Sequence, residues 1–275
     1  MRTSAVYRIL RDRNISIGLA AVAFSLAVSL VGIALTPFDP LSIRGPALRP
    51  PSDRNLLGTD DLGRDVLAML SRGTLVSLFI GVVAALVTSA VGILLGIVAG
   101  VYGGYVDFAV MRAVEFLLSM PSLVLALILV ALLRPSVWNI ILVLAVTGWP
   151  GITRVVRGYV LQVMSSGYIE AAKALGADAK YIVLRHLVPV SFPVALASIV
   201  SSIRSAVLLE AGLSFLGLGD PSTVSLGTVL FYARRAAALA SGAWWTFIPA
   251  GLMIATIVFG LTMISIGIER YSSAR

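Results

Sequence analysis

The segment from Tyr168 to Val190, YIEAAKALGADAKYIVLRHLVPV, concentrates side chains that can make charged contacts in a chain that otherwise has few of them. Seven ionisable side chains lie between Glu170 and His186, interleaved with alanine and glycine. A carboxylate favours the positive end of a helix dipole, and glycine favours the left-handed position where a helix ends. Glu170 and Gly176 fit these two positions. The pattern therefore predicts a short helix, a sharp turn and a second short helix.

Two polar residues precede these predicted helices. Ser166 and Asp178 are predicted to cap them, because serine and aspartate side chains accept backbone N–H bonds at helix starts. Arg185 and His186 stand towards the end of the second helix, and Pro189 begins the next apolar run.

Small residues give the first predicted helix a face that permits close approach. Ala171, Ala172 and Gly176 would let another backbone come near this face. Two interpretations are open: the segment is an amphipathic connector on lipid headgroups, or it is a contact element for another protein. Composition alone does not separate them.

A second charged cluster, TDDLGRD, contains Asp60, Asp61, Arg64 and Asp65. The spacing of Asp60 and Arg64 favours an ion pair on a helix. Carboxylate clusters can hold metals or perform acid–base chemistry, but a short cluster without histidine is weak support for either. We predict an N-capped, solvated helix on the outer surface. A contact with an extracytoplasmic partner is the alternative.

Three charged residues stand inside or beside apolar runs: Glu115, Arg204 and Glu210. Charges at membrane depth are costly, so they face the bundle interior or a water-filled path. Arg204 and Glu210 are six residues apart, on different helix faces, and should not pair with each other. For Glu210 we favour a structural polar contact near the outer end over contact with a solute. Glu115, near Pro121, remains open between these roles.

The composition indicates a membrane protein. The chain has 275 residues, 59% of them hydrophobic and 12% charged, with a mean hydropathy of +0.99. Soluble domains carry about 25% charged residues. Zero cysteines exclude disulfides and thiolate metal sites, and a single histidine excludes a multi-histidine metal site. The net charge of +8 is scattered between apolar runs, which favours anionic headgroups over nucleic acid as its partner.

Six apolar runs are long enough to cross a bilayer, which takes about 20 apolar residues. They cover about 15–35, 75–101, 108–133, 137–156, 188–213 and 244–268. The basic flank of the first run is typical of a signal peptide, but its length and the residues after it predict a retained span. Pro121 is predicted to kink the third run. Gly81, Gly92, Gly96 and Gly100 are predicted to allow close helix packing.

Six spans place both termini on one side of the membrane. A cytoplasmic N-terminus would put twelve basic residues inside and eight outside. Because basic residues are enriched in cytoplasmic loops, this count favours cytoplasmic termini. The charged loop would then face the cytoplasm too.

The order of residues in this loop resembles the EAA loop of ABC-transporter permeases. That motif reads Glu-Ala-Ala, three residues, Gly, nine residues, and then a hydrophobic-x-Leu-Pro ending. Glu170, Gly176 and Pro189 keep the spacing. His186 stands at the hydrophobic position and Val188 at the leucine.

Other segments resemble the dipeptide/oligopeptide/nickel importer permeases, in their C-type subunit. These are LLGTDDLGRDVLAMLSRG, YGGYVDFAVMRAVEFLLSMPSLVLAL, EAGLSFLGLGDPSTVSLGTVL and WWTFIPAGL, in the family's order and over nearly the whole chain. Two departures stand out. Leu226 precedes Gly227 where the family often has Trp, and the ending IGIERYSSAR differs from the usual Gly-Asp-Gly-Leu-Arg-Asp tail. The tail supports no particular solute.

The resemblance implies an all-α integral membrane protein of the cell membrane with six transmembrane helices. The implied fold is that of a type I ABC importer permease, with cytoplasmic N- and C-termini. Residues 1–74 would hold the N-terminal tail, the first span and an extracytoplasmic segment. Residues 75–270 would form the permease core, with five spans and the coupling loop at about 161–189. The implied ATPase-coupling residues are Glu170, Ala171, Ala172, Gly176, Arg185, His186 and Pro189.

The resemblance also implies partners: a second homologous permease, two ABC ATPase subunits, an extracytoplasmic solute-binding protein and the lipid membrane. The chain lacks the G-x-x-x-x-G-K-[ST] pattern that cradles nucleotide phosphates. ATP and Mg therefore belong to the partner ATPase, and this chain is expected to be a transport subunit, not an enzyme, with no cofactor of its own.

Di- or oligopeptides are the expected solutes, and nickel or oligosaccharides are the alternatives. An ion-gradient-driven secondary transporter or a channel is the rival class. Such a protein would be expected to show paired carboxylates or inverted repeats with broken helices.

Overall fold

A computed structural model describes the backbone of residues 12–273 and the side chains of residues 12–189 and 194–270. The regular secondary structure of the described residues is helical, as predicted. The predictions for Arg2, Arg8, Arg11 and Arg275 lie outside the described residues. The helices are α1 (Arg13–Leu35), α2 (Val66–Tyr102), α3 (Gly104–Leu118), α4 (Ser122–Leu132), α5 (Val137–Met164), α6 (Gly167–Ala174), α7 (Ala179–Ile182), α8 (Val188–Leu213), α9 (Leu226–Arg235) and α10 (Ile248–Ser273). Two π-helical turns, Val183–Leu187 and Ser214–Leu218, flank α8, and the 3-10 turn Trp244–Thr246 precedes α10.

Five helical stretches are long and apolar enough to cross a membrane: 13–35, 66–102, 137–164, 194–218 and 244–270. The helices α3 and α4 pass the same test only together, and they are bent by 87° at the break between them. The described residues therefore hold five spans, or six if the bent pair crosses the membrane once. Pro121 immediately precedes α4, so the predicted kink is confirmed as a full break.

The second span begins earlier than its apolar run predicted, at Val66 instead of Leu75. Asp65 starts this helix, because its side chain accepts the backbone N–H of Ala68 at 2.9 Å. The 37 residues of α2 make a helix about 55 Å long, whereas the hydrocarbon core is about 30 Å thick. The helix therefore extends well beyond the membrane core.

Helix α2 lies at the centre of the bundle, packed along α5, α8 and α1, while α10 packs on α1 and α8. Its glycines allow this packing. A side chain at Gly92, Gly96 or Gly100 would lie 2.6–2.8 Å from side chains of α5, and one at Gly81 would lie 2.4 Å from Val207 of α8. The predicted role of these glycines in close packing is confirmed.

The connecting segments gather at two ends of the bundle. Residues 36–65 and 219–247 form what we call the upper end, where the indole N–H of Trp245 donates to the carbonyl of Thr59 at 3.1 Å. Helix α5 also starts at this end, where the backbone N–H of its first residue, Val137, donates to the carboxylate of Asp220 at 3.2 Å. The 28 residues of α5 then carry the chain to residues 165–187, which form the lower end.

Candidate functional site

The loop at the lower end has the predicted helix–turn–helix shape. Gly176 has a φ of +90° and follows α6 and its C-cap residue, Leu175. Its N–H donates to the carbonyl of Lys173 at 2.9 Å, and the N–H of Ala177 donates to that of Ala172 at 3.0 Å. These two bonds form a Schellman motif, which requires a left-handed residue. A Cβ at Gly176 would meet no atom within 4 Å, so backbone conformation alone calls for glycine here.

The two predicted helix caps have different outcomes. Asp178 caps α7, because its carboxylate accepts the N–H of Tyr181 at 2.8 Å. Ser166 stands at the start of α6 but makes no side-chain cap. Its hydroxyl donates to the carbonyl of Val163 at 2.5 Å instead. The predicted cap at Ser166 is wrong, because the side chain is engaged with the end of the preceding helix.

One face of the loop is anchored in the bundle. Ile169, Ile182 and Leu187 are buried and pack in one cluster with Val156 and Val160 of α5. Because these side chains come from α6, α7 and the π-helical turn, the whole loop is held against the lower end of α5. A force on the loop therefore reaches the spans through packed side chains.

The opposite face of the loop is open. Glu170, Ala171, Gly176 and Arg185 are exposed, as is Pro189, the second residue of α8. Ala172 and His186 are half-buried, and the His186 ring lies 5.9 Å from the ring of Tyr168 and 5.6 Å from that of Tyr181. His186 therefore packs within the loop, while Glu170, Ala171, Gly176 and Arg185 remain open to a partner.

Sequence reasoning missed Leu175, which is 90% exposed at the tip of this loop. It directly precedes the exposed Gly176 and adds an apolar side chain to the open part of the loop, although a single exposed leucine is common on protein surfaces.

The acidic cluster at the upper end is not the predicted solvated helix. Asp60, Arg64 and Asp65 are only 4%, 5% and 2% exposed. Gly63, with a φ of +80°, reverses the chain, and the N–H of Asp60 donates to the carbonyl of Arg64 at 3.0 Å. Asp60 and Arg64 do form the predicted ion pair, but in a turn. The prediction failed because the glycine closes the chain into a turn before α2 begins.

This turn fastens the upper segment to the bundle. The Arg64 guanidinium lies 4.0 Å from the ring centre of Tyr232 in α9, and the Asp65 carboxylate accepts from the Asn55 amide at 2.7 Å. Asp61 is the more accessible acid of the cluster. Burial, and secondly the neighbouring Asp60 carboxylate, raises the pKa of Asp61. A partner that contacts this cluster would meet Asp61 first.

Asp65→Ala is expected to lower the free energy of unfolding by about 1–2 kcal/mol, because α2 loses its cap. The loss of the Asn55 contact adds to this effect. Thermal unfolding in detergent, followed by tryptophan fluorescence, measures the change. Asp53→Ala is the matched control, since Asp53 is exposed in the same segment, and it should shift stability by less than about 0.5 kcal/mol. Equal shifts in both variants would contradict the capping role.

Glu210 joins three helices near the upper end. It is 0% exposed, and its carboxylate accepts hydroxyl bonds from Ser77 of α2 at 2.9 Å and from Ser214 at 2.7 Å. The Ser77 oxygen in turn accepts the N–H of Leu226, the first residue of α9, at 3.1 Å. This arrangement is a buried structural contact, as preferred from the sequence.

The other two charged residues lie apart from this cluster. Arg204 donates to the Ser201 hydroxyl at 3.0 Å and is not paired with Glu210. Glu115 makes an exposed ion pair with Arg112 at 3.1 Å on α3. The predicted polar residues are therefore three separate features and not one site.

These long apolar helices, packed through glycines and closed at one end by an anchored loop with an open face, define a multi-pass membrane protein. Residues 92–275 match the family described as binding-protein-dependent transport system inner membrane component. This chain belongs to that family, and its localisation is the cell membrane.

Curated relatives extend the match beyond residues 92–275. The chain is 33% identical over 270 residues to the dipeptide transport system permease protein DppC of Bacillus subtilis, covering 97% of this chain and 84% of the relative. It is 35% identical over 222 residues to the oligopeptide transport system permease protein OppC of the same organism, covering 80% and 72%. It is 32% identical over 267 residues to DppC of Haemophilus influenzae, covering 94% and 90%.

A solved structure supports the fold. A chain of the MetNI methionine ABC transporter, in an inward-facing conformation, has a TM-score of 0.59 against this protein. The two are 21% identical, and the match covers 75% of this chain and 95% of that chain. The predicted importer-permease fold is confirmed.

Proposed function

We propose that this chain is a permease subunit of an ATP-driven importer that takes up di- or oligopeptides delivered by an extracytoplasmic solute-binding protein. The observation that carries the proposal is similarity over 97% of the chain to a dipeptide transport permease. The family description, which names binding-protein-dependent transport, supports the dependence on a binding protein.

The open face of the lower loop supports contact with an ATPase. Glu170, Ala171 and Gly176 lie exposed on the side opposite the buried anchor residues. Docked in a groove of an ATPase subunit, this face would move with that subunit, and Ile169 and Leu187 would carry the motion into α5 and α8. ATP and Mg would be bound by two ATPase subunits, and a second homologous permease would complete the path.

The orientation follows from the same assignment. With the lower loop in the cytoplasm, both termini are cytoplasmic and residues 36–65 face outward, where the binding protein delivers its solute. Residues 1–74 then comprise the tail, the first span and the outer segment, and residues 75–270 form the permease core. Asp61, on the accessible side of the upper turn, is the acid of its cluster that a binding protein would meet.

Peptide uptake by the complex, reconstituted in liposomes, is expected to require both ATP and the binding protein. The measurement is accumulation of a labelled peptide, with nickel and an oligosaccharide as competing solutes. Uptake driven by an ion gradient without ATP would contradict the proposal and favour a secondary transporter.

Exchange of the binding protein shows whether the binding protein or the permease selects the solute. With a sugar-specific binding protein from a close relative, the complex is expected to lose peptide uptake, because the binding protein selects the solute that it delivers. Unchanged uptake of peptide after the exchange would place selection in the permease itself.

A further inference from the structure

A groove of about 1050 Å³ opens along α8, bordered by α5 and the start of α4. Its lining is mainly apolar, and hydroxyl groups lie among the apolar residues, from Thr147 of α5 and from Ser198, Ser201, Ser202 and Ser205 of α8. The serine spacing of three, four and seven residues places all four on one face of α8. The volume lies at the upper limit of small-molecule sites, which occupy about 300–1,000 Å³. It is large enough for a short peptide.

Three hydroxyl hydrogens in the groove are engaged with the protein's own backbone. Ser202 donates to the carbonyl of Ser198 at 2.8 Å, and Ser205 donates to that of Ser201 at 3.0 Å. Thr147 likewise donates to a carbonyl of its own helix, at 2.9 Å. A hydroxyl oxygen that donates its hydrogen still has lone pairs that accept. These three hydroxyls therefore present lone pairs that can accept hydrogen bonds from a solute.

The lining itself carries little charge, although the Arg204 guanidinium donates to the hydroxyl of Ser201 in the groove wall at 3.0 Å. Among the described lining residues, Glu269 is the only ionisable one, and its carboxylate accepts from the Ser265 hydroxyl at 3.1 Å. Neutral oxygens bind a solute weakly, because each bond replaces one to water. Successive turns of α8 repeat these acceptors about every 5.4 Å. Repeated weak sites favour passage, since a deep site would hold the solute back.

We propose that this groove is the chain's own wall of the solute path. The four serines of α8 that line it, which we call the serine ladder (Ser198, Ser201, Ser202 and Ser205), accept hydrogen bonds from the amide N–H and ammonium groups of peptides. The assignment rests on the proposed function and adds the residues that meet the solute. A wall that bonds to groups shared by all peptides would admit solutes with different side chains. Selection then falls to the binding protein.

A substitution that fills the groove tests this assignment. Gly151 of α5 lines the groove, and a Cβ there would meet no atom within 4 Å. Gly151→Phe should therefore preserve helix packing and co-purification of the complex, yet abolish ATP-driven peptide uptake. Gly251→Phe is the matched control, because Gly251 in α10 has the same free space and does not line the groove. Wild-type uptake by Gly151→Phe would overturn the proposal.

A single-cysteine probe tests whether the groove is wetted in the assembled complex. Because this chain has no cysteine, Ser202→Cys gives the chain a unique thiol, and labelling is read on this chain after the subunits are separated. A water-soluble thiol reagent should label it in at least one nucleotide state and block uptake. Absence of labelling in all states would mean that the second permease fills the groove, and would overturn the proposal. If the wild-type complex takes up no peptide, the proposed function itself is contradicted. The two variants test the groove only when the wild-type complex does take up peptide.

Discussion

Gly176→Val is expected to uncouple transport from ATP hydrolysis while the spans remain folded. At a φ of +90° a side chain costs about 1–2 kcal/mol, and a β-branched residue adds further strain. The loop would escape this strain by breaking the two Schellman bonds that set the angle between α6 and α7. Co-purification of the ATPase and solute-stimulated ATP hydrolysis in liposomes measure the effect.

Gly167→Val is the matched control for this variant. Gly167 is in the same loop and also has no atom within 4 Å of an added Cβ, but its φ lies outside the left-handed region. It should therefore keep ATPase binding and transport. Glu170→Ala should weaken coupling more mildly, through the loss of a helix-dipole and docking contact. Wild-type coupling in Gly176→Val would contradict the assignment and leave the loop as a connector on lipid headgroups.

Glu210→Leu is expected to destabilise the upper end of the bundle strongly. The substitution leaves the hydroxyls of Ser77 and Ser214 buried without their acceptor, at a cost of about 1–3 kcal/mol for each group. Because Ser77 also accepts the N–H of Leu226, the start of α9 should loosen with it. The midpoint of thermal unfolding in detergent should fall, and protease cleavage between α8 and α9 should become faster.

The control is Glu115→Leu, which removes a glutamate from an exposed ion pair on α3. Exposed pairs contribute about 0–1 kcal/mol, so the unfolding midpoint should hardly move. If both glutamate variants lowered the midpoint equally, the role of Glu210 as a buried three-helix contact would be wrong.

Gly176 lies before the start of α8, and Glu210 lies in the last turn of α8. The groove lies along α8 between them. The Gly176 variant should therefore mainly reduce coupling, with a smaller loss of thermal stability than the Glu210 variant.

The sequence by itself determined the features that depend on local chemistry. Apolar runs of about 20 residues predict spans wherever they occur, because the bilayer requires every backbone group to be bonded within the helix. Pro121 lacks a backbone N–H, and the kink predicted there is a full break between α3 and α4. Gly176 was placed correctly because a Schellman turn has a local glycine requirement. The order of motifs along the chain was enough to indicate the family.

The tertiary structure decided the features that depend on residues far apart in the chain. Asp60 and Arg64 are buried because Tyr232 of a distant helix covers the guanidinium, which i, i+4 spacing does not reveal. The partners of Glu210 come from α2 and from the turn after α8, so its burial became evident only once these helices packed together. The serine ladder lines a groove only because α5 stands opposite α8. Side-chain spacing defines a helix face, but packing decides what that face meets.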